Sequence, residues 1–218
     1  MYPVVKTFKD QVDRWWLPLY ATRAAQFDWK PHNTLFVSWL GSNDVGRAYL
    51  NDWGGALESD VGEYAALLHR LYENGARNFL VMNVPPFENS PMVEKFNDNA
   101  KHELGQLIDT YNRNLTTAVT QLRESYSDAT VFLFDTNTLF NQLMQDQCSM
   151  VETCPLKDTR TYCRKYLNEK IDPYRFDAEC EYPLDKYFWL NTLHPSFRVH
   201  AAIANALAGY LSDPSNTG

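Results

Sequence analysis

The sequence predicts an α/β protein, a three-layer αβα sandwich built on a parallel sheet. Three observations carry this expectation. The runs TLFVSWL (34–40), RNFLVMNV (77–84) and ATVFLFDT (129–136) are almost continuously apolar. Strands buried on both faces of a parallel sheet read this way. Helical patterns separate the runs, and strands alternating with helices imply right-handed βαβ units.

The elements follow in order. Residues 4–20 form an amphipathic segment through Val5, Phe8, Val12, Trp15 and Trp16. Residues 57–73 carry Leu57, Val61, Tyr64, Leu67, Leu68 and Leu71 at helical spacing, and Asn74-Gly75 is the stop signal. Residues 93–124 place Leu104, Leu107, Ile108, Tyr111, Leu115, Val119 and Leu122 on one stripe. A short helix is expected at 137–145. Ser196 is positioned to cap a last helix, 197–211, with Ala201, Ile203, Ala204, Leu207 and Leu211 facing inward. Residues 146–186 break the pattern and read as a cysteine-bearing excursion from a single domain spanning 1–218. No internal repeat or low-complexity segment is present.

At 218 residues the chain is long enough for a substantial core. Its 14% aromatic content fits stacking on sugars or flat ligands and fits a well-filled core equally well. The net charge is −7 with no basic block, so the electrostatic footprint of nucleic-acid binding is missing. No apolar run approaches the ~20 residues of a membrane span. Lys6, Lys9, Asp10, Asp13 and Arg14 break the first segment, so it is not a signal peptide. Cys148, Cys154, Cys163 and Cys180 contain no C-x-x-C pair. Two disulfides, with three possible connectivities, are expected rather than a zinc site, and no metal or other cofactor is implied. Asn114-Leu115-Thr116 is a glycosylation sequon. Disulfides and sequon together point to a secreted protein whose export signal is not in this chain.

Three stretches can carry chemistry. Gly41-Ser42-Asn43-Asp44 lies just past the first strand, where open α/β sheets place ligands. Gly41 permits a tight turn there. Asn43 can aim an amide N–H at a developing oxyanion, a donor worth ~3–4 kcal/mol. The plain alternative is an Asn-Asp loop turn capping the next element. NVPPFENSP (83–91) follows the second strand; its Pro85-Pro86 shapes a substrate wall or serves as a rigid connector. His194, in YFWLNTLHPSFRVH (187–200), precedes a proline and heads a helix. A rigidly held imidazole suits general-base work. His32, His69, His102 and His200 are read as structural.

Taken together, GSND and the later WLNTLHPS resemble the third and fifth motif blocks of the GDSL/SGNH hydrolases. FLVMNVPPFENSP resembles the strand and Pro-Pro loop of their plant and fungal branch. FDTNTLFNQL, the cysteine loop and YFWLNTLHPSFRVH are most similar to fungal acetylesterases of carbohydrate esterase family sixteen. The resemblance covers nearly the whole chain. It implies a flavodoxin-like fold, serine esterase chemistry, Asn43 and Gly41 in the oxyanion block, His194 as the base, and an extracellular location.

Two departures stand out. The family's nucleophile is the serine of a Gly-Asp-Ser block, and this sequence contains no such triplet and no G-x-S-x-G elbow. The first strands, on the order of 50 residues, are therefore expected to be missing. A natural truncation or an incomplete gene model accounts for this, the latter being favoured. Ser38 (in a strand), Ser42 (in the asparagine block) and Ser196 (a cap) are poor substitutes. Second, the position three before the histidine, usually Asp, is Asn191. An Asn carbonyl can orient the ring but cannot match a carboxylate in stabilising the imidazolium. Asp185 is the nearest other acid.

The expectation is thus a hydrolase of acetyl esters, on small or oligosaccharide substrates, acting through an acyl-serine and with little activity from this chain alone. The alternative is a non-catalytic carbohydrate-binding relative. Without its neighbour, the 34–40 strand is expected to be an apolar edge, and the chain marginally stable. The sequence gives no oligomeric state.

Overall fold

The computed structural model describes residues 6–167, 172, 174 and 176–216, with the backbone alone at 23–25. Val5 and part of the cysteine-bearing stretch lie outside these. The chain forms two compact units. The first comprises Met1–Asn83, Thr110–Phe134 and Pro214–Gly218; the second comprises Val84–Asp109 and Asp135–Asp213.

The first unit holds the sheet. Strands β1 (Leu35–Trp39), β2 (Asn78–Met82) and β3 (Thr130–Phe134) pair in parallel in the order β1-β2-β3, with Val37 opposite Leu80 and Leu80 opposite Phe132. The expected α/β class holds: helices separate parallel strands. Four of β2's five residues are buried, as its apolar run requires. β1 differs, since it pairs only with β2 and leaves Leu35 and Val37 exposed on one face. Its other face packs inward through Phe36 and Ser38.

Helix α1 (Ser42–Asn51) follows β1 directly. Its N-cap, Gly41, is buried with φ 116°, a left-handed conformation that glycine alone adopts without strain. The Gly41 carbonyl accepts from the N–H of Val45 and starts the helix. GSND is therefore the start of a helix, so its turn caps the next element.

Helix α2 (Leu57–Glu73) matches its expected bounds and buries all six stripe residues. Burial of each large apolar side chain is worth roughly 1.5–3 kcal/mol. Tyr64 on this stripe reaches β1, its hydroxyl 2.5 Å from Ser38 Oγ. The helix stops at Asn74, and Gly75 turns at φ 101° with the Trp29 ring 3.1 Å from where a Cβ would stand.

The N-terminal segment becomes a short α-turn (Phe8–Asp10) capped by Thr7, then a wide π-turn stretch (Gln11–Tyr20) containing Pro18. Phe8 meets Tyr64 edge-on at 5.4 Å, and Trp16 meets Phe36 edge-on at 4.7 Å. The segment thus covers the inner face of β1.

Helix α3 (Asp98–Ser125) gives its first turns to the second unit and its remainder to the first. Leu104, Ile108, Tyr111, Leu115, Val119 and Leu122 are buried on the expected stripe. The sequon residue Asn114 lies within this helix.

The second unit contains α4 (Thr136–Gln145), the cysteine-bearing excursion and α5 (Phe197–Ser212). Asp135 caps α4 by accepting from the Thr138 N–H. The disulfides are Cys148–Cys154 and Cys163–Cys180. Tyr166, Cys180, Leu184 and Tyr187 form a small core under the excursion. On α5 the buried residues are Val199, Ala202 and Ile203, while Ala201 and Ala204 face solvent. Of the expected inward residues, Ile203 is buried and Leu207 and Leu211 are half-buried; only Ala201 and Ala204 were misplaced, because alanine offers little contrast between faces. Ser196 occupies the N-cap, but its hydroxyl makes no capping bond and is buried without a partner among the described residues.

Candidate active site

In the second unit, residues 188–196 form a narrow hairpin. The Ser196 N–H donates to Phe188 O at 2.7 Å and the Leu190 N–H to His194 O at 2.9 Å; Trp189 bridges Pro195. Its base is fixed by apolar packing. Phe188 and Trp189 are buried, Phe188 lies edge-on to Phe140 on α4, and the Trp189 indole N–H donates to Thr159 O.

The tip carries Asn191 and His194 together. Asn191 Oδ1 accepts from the backbone N–H of Leu193 at 2.9 Å and of His194 at 2.8 Å, and lies 3.1 Å from His194 Nδ1. Two N–H groups converging on one amide atom require that atom to be the oxygen. Oxygen only accepts, so the bond to the ring places the imidazole proton on Nδ1. Nε2 is left bare, in the form a general base needs. His194 itself is exposed.

The Pro-Pro loop braces the same tip. Met92 N–H donates to Thr192 O at 2.7 Å, so 83–91 leads into a segment tied to the His194 hairpin.

Asp185, the other acid weighed for the histidine, is engaged elsewhere. Its carboxylate meets Arg198 Nη2 at 2.7 Å and Lys186 Nζ at 2.9 Å, with the side chain 7% exposed. Burial works against its charge, but Arg198 and Lys186 outweigh burial and hold the carboxyl below the usual carboxylate range. Arg198 also donates to Asp185 O and Glu152 O, tying α5 to the excursion.

His200 stands in the first turn of α5; burial of its ring, and then His194, hold its imidazole below the ordinary histidine range.

In the first unit, Asn43 occupies the first turn of α1, exposed, beside buried Gly41. Backbone N–H groups at a helix N-terminus favour negative charge, which suits an oxyanion donor at this position. Behind Asn43, burial first and Asp60 second raise the Asp44 carboxyl above its usual range. Ser42 opens the same helix. Ser38 is buried against Tyr64 and cannot meet a substrate. Gly41 and Asn43 thus belong to one unit, and Asn191 and His194 to the other. Among the described residues, no group of three or more His, Cys, Asp or Glu is arranged to hold a metal ion.

Comparison with known proteins accords with these features. The chain is 28% identical over 211 residues to an acetylesterase from Thermothelomyces thermophilus, covering 94% of this chain and 61% of that protein. It is 26% identical over 189 residues to GDSL esterase/lipase At1g71691 of Arabidopsis thaliana (81% and 48%). Over 192 residues it is 23% identical to GDSL esterase/lipase 5 of the same plant (80% and 49%). The chain therefore spans about half to three-fifths of the length of these relatives. The profile of GDSL-like lipases and acylhydrolases matches residues 2–207, and the chain belongs to that family.

Proposed function

We propose that the chain supplies the base and the oxyanion donor of an ester hydrolase, with acetyl esters of carbohydrates as substrates. His194 Nε2 takes the proton from a serine hydroxyl as its oxygen attacks the ester carbonyl. The carbonyl becomes an oxyanion held by the Asn43 side-chain N–H and the N–H groups around Gly41 and Ser42. Collapse expels the alcohol, which receives the proton from His194 and leaves an acyl-serine. Water then repeats the cycle, releasing the acid. No cofactor enters these steps.

The observation that carries this reading is the triple acceptance by Asn191 Oδ1, which fixes the His194 tautomer. A module that only binds sugar has no need of a preset imidazole. The similarity to a protein named acetylesterase supports the acetyl group. Two disulfides persist best in an oxidising compartment, which supports an extracellular location. Among the described residues no helix is long and apolar enough to cross a membrane.

The sequence contains no Gly-Asp-Ser triplet. The reading therefore assigns the nucleophile to a Gly-Asp-Ser-bearing segment added to this chain. Fusing such a segment to the N-terminus and measuring 4-nitrophenyl acetate hydrolysis tests this. Release of nitrophenol by the fusion, with little from the chain alone, is the expected result. A folded but inert fusion, unlabelled by a serine-directed phosphonate, overturns it.

A further inference from the structure

In the second unit, the peptide between Thr192 and Leu193 is held from both ends. Its carbonyl accepts from the Met92 N–H at 2.7 Å, and its N–H donates to Asn191 Oδ1 at 2.9 Å. Asn191 Oδ1 is the atom that also meets His194 Nδ1. The Met92 bond therefore orients the turn that presets the imidazole, and bonds chained in this way polarise one another. Met92 has little slack relative to the residues before it. Phe87–Asn89 and Pro91–Val93 are two successive 3-10 turns, closed by the Ser90 N–H on Phe87 O at 3.0 Å and the Val93 N–H on Ser90 O at 3.2 Å. Phe87, Ser90, Pro91 and Val93 are buried, so a shift at one end of the segment reaches the other.

Near the start of this segment stands Glu88. Its side chain lies against Gly105 of α3, and its Oε1 joins a chain of amides that runs to α4. Asn89 Nδ2 spans Glu88 Oε1 at 3.3 Å and Asn141 Oδ1 at 3.4 Å. Asn141 Nδ2 donates to Asn137 Oδ1 at 3.1 Å, and Asn137 Nδ2 to Val84 O at 3.0 Å. Glu88 Oε2 is buried and meets no donor among the described residues. Such an oxygen tolerates a neutral acid far better than an anion. The facing charges do not offset this. α4 carries none within Thr136–Gln145, and its cap Asp135 accepts from Thr138. On α3, Lys101 and His102 stand one turn before Gly105 and Asp109 one turn after it, and Asp109 adds to the effect of burial.

Taking His194 as the base, as above, we propose that Glu88 is its positioning residue. The neutral acid seats the 87–93 segment against α3 and α4. The segment holds the Thr192–Leu193 peptide through Met92, and the peptide holds Asn191 and His194. Loss of the proton drives the carboxylate toward water, and the segment and the His194 turn loosen together. All of these residues belong to the second unit.

Amide NMR on the folded full chain tests this without recourse to catalysis. As pH is raised, the Met92 and Leu193 amide protons are expected to move upfield together, as their bonds lengthen, with one midpoint at about 7. Glu88→Gln keeps the shape without the charge and is expected to abolish the shift. His194→Gln and His102→Gln are expected to retain it, which excludes an imidazole as its source. Asp109→Asn is expected to move the midpoint to lower pH. In the Gly-Asp-Ser fusion the same proton is expected to give kcat for 4-nitrophenyl acetate a falling limb at about pH 7 with KM unchanged, and Glu88→Gln to remove that limb. A role in stability alone leaves the two amides of the folded chain unmoved, and that result overturns the proposal. So does a shift that Glu88→Gln retains or His194→Gln abolishes, or an active fusion whose pH profile Glu88→Gln leaves unchanged. An inert fusion beside a shift that follows Glu88 overturns the ester reading and leaves the positioning in place.

Discussion

Glu88 offers a prediction that the structure makes quantitative. It follows the Pro-Pro pair and packs on α3, where a Cβ on Gly105 would meet its Cγ at 3.6 Å. Oε1 accepts a long bond from the Asn89 amide at 3.3 Å, and Oε2 is buried with no partner among the described residues. Burial, with a smaller contribution from Asp109, pushes the carboxyl from its ordinary 4.5 up to about 7. The sign follows from linkage. Between those values the folded chain holds a proton that the unfolded chain has released. Stability therefore falls as pH rises through this window and levels off above it. At about 1.4 kcal/mol per pH unit the full cost approaches ~3.4 kcal/mol. The side chain is only partly buried, so solvent screening brings the working figure to ~1–2 kcal/mol. Glu88→Gln removes the charge and keeps the shape. In urea titrations followed by tryptophan fluorescence, the variant is expected to gain ~1–2 kcal/mol at pH 8 and almost nothing at pH 4. A variant that tracks the parent at both pH values, or is weaker at pH 8, refutes the reasoning.

Other outcomes follow from the same geometry. Asn191→Ala removes the acceptor for the ring and for two backbone N–H groups, and should lower kcat of the Gly-Asp-Ser fusion ~100-fold or more. Asn191→Asp keeps the geometry and adds a charge facing the imidazolium, so stopped-assay kinetics should show a gain of about 5–10-fold. Arg198→Ala leaves the buried Asp185 carboxylate with Lys186 as its one ion-pair partner among the described residues and should destabilise the second unit by ~3 kcal/mol, read by urea denaturation.

Much of the molecule was legible in its residues. The three strand runs and the stripe of α2 declare themselves because unbroken apolar runs and a three-to-four spacing each allow one periodicity. Other features needed three dimensions. GSND reads as a loop by composition, since Gly, Ser, Asn and Asp all favour turns. They favour helix starts for the same reason, and the left-handed Gly41 opens directly into α1. On α5 Ile203, Leu207 and Leu211 turn inward as read, whereas Ala201 and Ala204 do not, because alanine is tolerated on either face. Asp185 was a weak candidate by position, and its ion pair with Arg198, thirteen residues on, has no sequence signature. Asn191 and His194 were paired by spacing, but the two converging N–H groups that fix the imidazole tautomer belong to the hairpin and have no sequence signature.

The central claim is that Asn43 and His194 serve one and the same ester-cleaving transition state. A double-mutant cycle measures this directly: kcat/KM for 4-nitrophenyl acetate in the Gly-Asp-Ser fusion, its Asn43→Ala and His194→Ala variants, and the double variant. Losses of ~10²–10³ and ~10³–10⁴ are expected for the single changes, with the double variant no worse than the poorer single one. Single losses that multiply in the double variant, or a His194→Ala protein that hydrolyses as fast as its parent, contradict the account.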